Sequence, residues 1–322
     1  MSYQVLSCPH VHSENNTKRI MTDVLIALAP SAVAGVINQG VRALVVILSC
    51  VAAAFLTEYL YCLICKKKNS TADLSCVITG LLLAMTLPAI IPFWIAALGA
   101  VFAILTVKLL SGGLGKNIFN PALSGRAFLM LAFPYDVTRY ALYGQKLSVF
   151  SPVDVMSGAT SLHEMQFPKL PTATYARMFT GLTSGSIGEA SELLLIVGGI
   201  YLLWRGVISW RIPVAYIGVT AVLSLVFTCD LPTLPWMLSG IFSGGLFLGA
   251  IFMATDYSSS PVTPVGQLVF GAGCGALTVL FRHIGVFPEG VTYAILLMNA
   301  AVPLIDRFCA PRRFGEVKGG SI

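Results

Sequence analysis

This sequence predicts an all-α integral membrane protein: about ten transmembrane helices in two inverted five-helix repeats. Three observations lead there: a composition too apolar for water, a succession of span-length apolar runs, and a likeness between the two halves of the chain. The 322 residues are 56% hydrophobic and only 11% charged, with a mean hydropathy of +0.83. Soluble domains carry roughly a quarter charged residues, which this chain lacks for a water-facing exterior. A disordered chain, a disulfide-stapled secreted domain and a soluble nucleic-acid binder are excluded on the same grounds, and no nucleic-acid partner is expected. The net charge of +6 is small for the length, so the placement of charge says more than its sum.

Apolar runs of span length cover 21–38, 42–64, 74–91, 93–111, 121–134, 189–204, 209–228, 236–255, 266–285 and 289–308. The third and fifth are short or interrupted by proline. The runs are continuous rather than alternating and too long for barrel strands. A cytoplasmic N-terminus puts Lys18, Arg19, Lys66, Lys67, Lys68, Lys108, Lys116, Arg205, Arg211, Arg307, Arg312, Arg313 and Lys318 inside. Arg42, Arg139, Lys146, Lys169, Arg177 and Arg282 fall outside, most of them in one long loop. This bias predicts both termini in the cytoplasm. Met1–Thr17 is polar and has no apolar core of a signal peptide, so the first helix is expected to act as its own insertion signal. The expected organisation is a cytoplasmic tail over 1–20, a membrane repeat over 21–134, an outer loop over 135–188, a second repeat over 189–308 and a tail over 309–322.

The halves echo one another at an offset of about 170 residues. Asp23-Val24-Leu25-Ile26 resembles Glu192-Leu193-Leu194-Leu195, and Leu105-Thr106-Val107 resembles Leu277-Thr278-Val279. With five spans each, the second half enters the bilayer from the opposite side. The matching helix breaks are Met85–Pro92 with Met253–Pro264, and Ser111–Pro121 with Gly285–Gly290. Non-helical backbone at membrane depth needs protein or a cavity around it, so the breaks are expected to surround a central site.

The outer loop is rich in Gly, Ser, Thr and Pro and is long enough to suggest a function. It contains Asp154-Val155-Met156-Ser157-Gly158-Ala159-Thr160-Ser161, a small hydroxyl-bearing turn. Gly158 and Ala159 leave room for a bulky group, and Thr160 offers an oxygen that can be esterified. An ordinary Ser/Thr turn is the alternative.

With this motif the chain resembles the NqrB/RnfD family, the related membrane proteins of the sodium-translocating NADH:quinone reductase and of the Rnf complex. The likeness extends through Gly112–Ala122, Gly185–Glu189, Thr255-Asp256, Ser260–Pro264 and Glu289–Asn299. It implies flavin mononucleotide held on Thr160 by a phosphoester, with Asp154, Ser157, Gly158 and Ala159 completing the motif that a flavin transferase reads. It also implies a second, non-covalent flavin, riboflavin, for which Asn120, Arg126 and Asp256 near the breaks are the expected contacts. The implied fold is similar to that of urea and ammonium transporters.

The activity implied is electron transfer inside a bacterial plasma-membrane complex that moves electrons between reduced ferredoxin and NAD and transports sodium ions or protons. The implied partners are the flavoprotein RnfG, the membrane proteins RnfA and RnfE, the NAD-binding RnfC and the iron–sulfur protein RnfB. No Gly-x-Gly-x-x-Gly fingerprint opens a strand–helix unit here, so NAD chemistry is assigned to partners. The shorter N-terminal region favours the Rnf branch over the quinone-reductase relative. A stand-alone channel or transporter is the reading from another class, and the Asp154–Thr160 motif argues against it.

Arg126 has a second reading, in which it snorkels to the inner interface or bonds carbonyls freed at the Gly-rich break. Glu58, Glu189, Glu192, Asp256, Glu289 and Asp306 are open between an ion path and interfacial or capping roles; Glu189 and Glu192 suit the first turn of a helix. Of the eight cysteines only Cys62 and Cys65 are closely spaced, too few for an iron–sulfur cluster. They are read as small apolar packing residues or as acylation sites. Cys8, His10 and His12 lack the further ligands of a metal site.

Overall fold

The ends of the helices follow from caps and breakers. In a computed structural model describing residues 16–66, 70–145, 147, 157–158, 160–165, 171, 174–227, 232–284 and 289–310, α1 (Thr17–Gln39) opens on Asn16, whose side chain accepts from the Arg19 N–H. Gly40, at a φ of +86°, ends α1 and leads directly into α2 (Val41–Ile64). Helix α3 (Ser75–Thr86) stops ahead of Pro88, and α4 (Phe93–Phe102) starts after Pro92. Helix α4 continues as a wider π-turn over Ala103–Leu109. Helix α5 (Pro121–Ala132) has Pro121 in its first turn and Asn120 as its cap, with Oδ1 accepting from Ala122 N at 3.0 Å and Leu123 N at 3.3 Å.

The second half is likewise a run of helices parted by breaks. Helices α9 (Glu192–Trp204) and α10 (Arg211–Val226) precede a bent pair, α11 (Thr233–Ile241) and α12 (Leu246–Leu248), the latter prolonged by a π-turn over Gly249–Met253. Helices α13 (Pro264–Ile284) and α14 (Val291–Phe308) follow. Each apolar run of the sequence overlaps one of these helices or the bent pair. Among the described residues, α1, α2, α13 and α14 are long and apolar enough to cross a membrane, and the pair bent by 57° makes up to 5 spans. Their outer faces carry Ile26, Val33, Leu48, Leu56, Val265 and Leu304, all more than 50% exposed. An apolar exterior of this extent suits lipid: the chain is an all-α membrane protein, with one small strand pair among the described residues.

Helix α2 packs on α3 and α4, and α10 packs on α11 and α13. The first helices of the two halves, α1 and α9, lie against each other in opposite directions. Asp23 near the start of α1 accepts from Tyr201 Oη at 3.0 Å and Arg205 Nη2 at 3.0 Å at the end of α9. Further along, a Cβ on Gly198 would overlap the Ala27 carbonyl, and one on Gly35 the carbonyl of Ile187 ahead of α9. The last helices, α5 and α14, are antiparallel too. Asn120, at the start of α5, donates its backbone N–H to the Asn299 amide oxygen midway along α14 (3.1 Å), with that amide oriented to satisfy its neighbours. Arg126, deeper in α5, pairs with Glu289 just ahead of α14.

The breaks are stitched by side chains. Asn120 Nδ2 donates to Met253 O at 3.0 Å, Asn299 donates to Ser259 O at 3.0 Å, and Arg42 Nη2 donates to Ile90 O at 2.7 Å. These bonds satisfy carbonyls that no helix holds. Leu87 O accepts from Ile187 N at 3.1 Å. That last bond places 185–190, grouped on sequence partly with the outer loop, inside the helical body. Ile187 is 0% exposed, and Gln39 Nε2 donates to the carbonyls of Gly185 and Ser186. A loop containing two glycines and a serine thus ends as a buried plug, closed by a 3₁₀ turn at Ile187–Ala190. Between α5 and this plug lie α6 (Pro134–Thr138), the antiparallel pair β1 (Tyr140–Ala141) and β2 (Ser157–Gly158), α7 (Ser161–Glu164) and α8 (Tyr175–Thr180).

Candidate functional site

Thr160 directly precedes α7 and caps it: Oγ1 accepts from His163 N at 3.2 Å. It is 7% exposed and borders a pocket of about 320 Å³, whose walls include Glu189, Glu192, Ser243, Gly244 and Glu289. Ser157 lends its backbone to β2. Asp154 and Ala159 lie outside the described residues. Gly158 does not leave the room expected of it, because a Cβ there would meet Leu142 Cδ2 at 2.5 Å. The contact is with the tip of the Leu142 side chain, which narrows the space beside Gly158 without requiring a glycine there.

Beneath Thr160 sits a set of buried charges that the sequence scatters across both halves. Glu289 pairs with Arg126 and accepts from the Tyr140 hydroxyl. Burial pushes the Tyr140 phenol up to about 12, so it stays protonated and donates. Glu189 has its carboxylate against Gly185 and Gly245. Glu192 opens α9 as its acidic first-turn residue, yet it is 3% exposed and its Oε2 has no partner. Arg282 donates to Gly240 O at 2.5 Å and Ser243 O at 2.9 Å. Arg126 therefore neither snorkels nor caps the Gly-rich break. Its partner is a carboxylate 163 positions away, which no local pattern predicts.

A larger pocket of about 780 Å³ opens among the breaks at the other ends of these helices. Asn120 and Asp256 both line it, with Thr79, Lys108 and Asn117 as further polar groups on mostly apolar walls. Asp256 accepts from Ser258 Oγ at 2.8 Å and Ser259 Oγ at 3.1 Å. Two of the three residues expected around a second flavin thus meet, while Arg126 lies with the Thr160 group. Lys108, counted on sequence as an inner-side charge, is 2% exposed. Its Nζ bonds Glu58 Oε2 and Ser75 Oγ, each at 2.6 Å, and Ser70 Oγ donates to Glu58 Oε1 at 2.5 Å. Among the described residues no group of three His, Cys, Asp or Glu could hold a metal ion; Cys8, His10 and His12 lie outside them.

A lipid-facing helical body that gathers its charges at pockets beside broken helices defines a polytopic membrane protein with interior polar sites. The profile of the NQR2, RnfD, RnfE family matches residues 4–315, and the chain belongs to that family. It is 44% identical to the D subunit of the proton-translocating ferredoxin:NAD(+) oxidoreductase complex of Clostridium ljungdahlii, over 97% of this chain and 96% of that protein. It is 41% identical to the D subunit of the Na(+)-translocating ferredoxin:NAD(+) oxidoreductase complex of Acetobacterium woodii, over 99% of this chain and 97% of that one. A third relative, the D subunit of an ion-translocating oxidoreductase complex of Stutzerimonas stutzeri, is 38% identical over 94% of this chain and 93% of its own length.

Proposed function

We propose that this chain is the D subunit of an ion-translocating ferredoxin:NAD+ oxidoreductase, carrying electrons within a redox-driven ion pump in the bacterial plasma membrane. The observation that carries this reading is near end-to-end identity of 44% and 41% with two proteins bearing that name. RnfA, RnfB, RnfC, RnfE and RnfG of the same complex are its partners. In this reading all the apolar helices cross the bilayer, the halves are inverted repeats of a urea-transporter-like kind, and both termini are cytoplasmic. The antiparallel seating of α1 on α9 and of α5 on α14 supports the inversion, since equivalent helices must then run in opposite directions.

Thr160 carries flavin mononucleotide through a phosphoester made by a flavin transferase on the outer face. Thr160 fits that role as a hydroxyl at the mouth of a polar pocket, in the loop opposite the larger cavity. The larger cavity is suited to riboflavin: its volume falls in the range of small-molecule sites, and its apolar walls hold a few placed polar groups. Asn120 and Asp256 would bond the ring edge or ribityl hydroxyls there. When bound, flavins supply the one- and two-electron chemistry that side chains lack, and the protein supplies position and electrostatics. Arg126, paired with Glu289 and Tyr140, keeps the outer polar group charge-balanced.

The decisive variant is Thr160→Ala in the purified complex. It should insert and assemble normally, show no in-gel flavin fluorescence from this chain, and yield a peptide spanning position 160 without added mass. A wild-type peptide of unmodified mass, or a fluorescent Thr160→Ala chain, would overturn the assignment.

A further inference from the structure

Beside the Thr160 pocket, on the far side of Leu162, lies a separate cleft of about 420 Å³ between α11 and α13. Leu162 and Met165, from the loop that carries Thr160, form one wall; Trp236, Gly240, Arg282 and His283 form the others. We propose that this cleft seats the isoalloxazine ring of the flavin esterified to Thr160, with Trp236 and His283 against the ring face and Arg282 at the ring's N1–C2 edge. The proposal rests on the reading of Thr160 as the flavin acceptor and adds where the ring lies and what tunes it.

Two pockets flank the acceptor, and their linings decide between them. The first is walled by Glu189, Glu192 and Glu289, with one carboxylate oxygen of Glu192 unpartnered. Among its described lining residues Phe242 alone is aromatic and none is a cation, the nearby Arg126 being taken up by Glu289. The cleft offers the opposite: aromatic surface and a guanidinium. Trp236 is 4% exposed, its ring 6.4 Å from the His283 ring at a tilt of 34°, and Phe227 continues the shelf 5.4 Å beyond His283. Aromatic side chains grouped in this way suit a planar tricyclic ring.

Arg282 supplies the polar end. Two of its nitrogens hold the carbonyls of Gly240 and Ser243, which fixes the guanidinium, while its Nε–H is buried with no acceptor. Buried N–H groups seldom lack a partner. The ring's N1 or C2 carbonyl provides one. A flavin that takes up two electrons and one proton gains one negative charge at that edge, so a fixed cation beside it favours the reduced form and raises the potential. Gly244 keeps the two walls close: a Cβ there would meet Leu162 Cδ2 at 2.5 Å and Arg282 Nη2 at 3.0 Å.

The test uses the purified, flavin-loaded complex with Arg282→Gln, Arg282→Lys and Trp236→Phe. The mass of the peptide containing position 160 establishes first that the flavin is attached. In Arg282→Gln the reduction equilibrium of this flavin is expected to shift at least tenfold toward the oxidised form, about 30 mV for a two-electron couple. Arg282→Lys should recover part of that shift. In Trp236→Phe, which keeps an aromatic wall but removes the quenching indole, native flavin emission should rise several-fold; this reading stands even if Arg282→Gln does not assemble. An attached flavin whose emission is unchanged in Trp236→Phe overturns the ring placement, and an unchanged potential in an assembled Arg282→Gln overturns the role of the arginine. A wild-type chain with no flavin on Thr160 overturns the acceptor reading and this placement with it.

Discussion

Lys108 and Glu58 illustrate what a single residue contributes in this interior. The pair is almost wholly inaccessible, with side-chain exposures of 3% and 0%, and each member has a serine hydroxyl as a second partner. Removing one charge from such a pair leaves the other uncompensated, which typically costs about 3–5 kcal/mol, whereas removing both can be close to neutral. Lys108→Met should therefore lower the thermal stability of the detergent-purified complex sharply, and Glu58→Gln combined with Lys108→Met should recover most of the loss. Equal destabilisation in the single and double variants would show that the ion pair is not the cause. Neither partner is legible on its own. Lys108 lies near the end of the apolar run over 93–111 and reads as an inner-side charge; Glu58 reads as a span-end acid. Fifty positions separate them, and only the packing of α2 against the π-turn brings them together. Arg126 and Glu289 are the same case at greater separation. Thr160, the proposed acceptor, is visible because its signal is local, a run of consecutive small residues, while its surroundings come from five separate segments.

At the level of elements, the breaks are legible in the sequence and the turns within helices are not. Pro88, Pro92, Pro121 and Pro264 announce where α3 stops and where α4, α5 and α13 begin, because proline cannot continue a hydrogen-bonded ladder. The π-turns at Ala103–Leu109 and Gly249–Met253 have no such marker; they add a residue to a turn without changing composition. The plug at 185–190 escapes a sequence reading for the opposite reason, its polar composition concealing a buried position. Close helix contact is readable only once partners are known. Gly198 in α9 touches the Ala27 carbonyl of α1, whereas Gly218 in α10 has nothing within 4 Å. Gly198→Leu should push α1 and α9 apart and cost about 1–3 kcal/mol, the usual penalty for overpacking. Gly218→Leu, facing open space, should stay within about 0.5 kcal/mol of the parent. Thermal unfolding of the two variants side by side checks this, and an equal effect would mean that the α1–α9 contact is not tight.

For the molecule as a whole, the antiparallel seating of α1 on α9 has a consequence for sidedness. If α1 and α9 run opposite ways, the polar groups at the start of one lie with those at the end of the other, and Asp23 with Arg205 does so. The same logic puts the larger pocket, which takes residues from the start of α1 and the end of α9, on one side, and the Thr160 pocket, which takes Glu192 from the start of α9, on the other. Under the proposed function, electron carriers at the two sites would then stand across the membrane body from one another, the arrangement a transmembrane electron path requires. Single cysteines placed in a background without the native thiols test this directly. Tyr135→Cys, beside the Thr160 loop, and Trp210→Cys, at the start of α10, replace residues 68% and 56% exposed. An impermeant maleimide applied to whole cells or outer-membrane-stripped spheroplasts should label position 135 and spare position 210, and inverted vesicles should reverse the pattern. Labelling of both positions from one side would break the inverted arrangement, and with it the opposition of the two pockets.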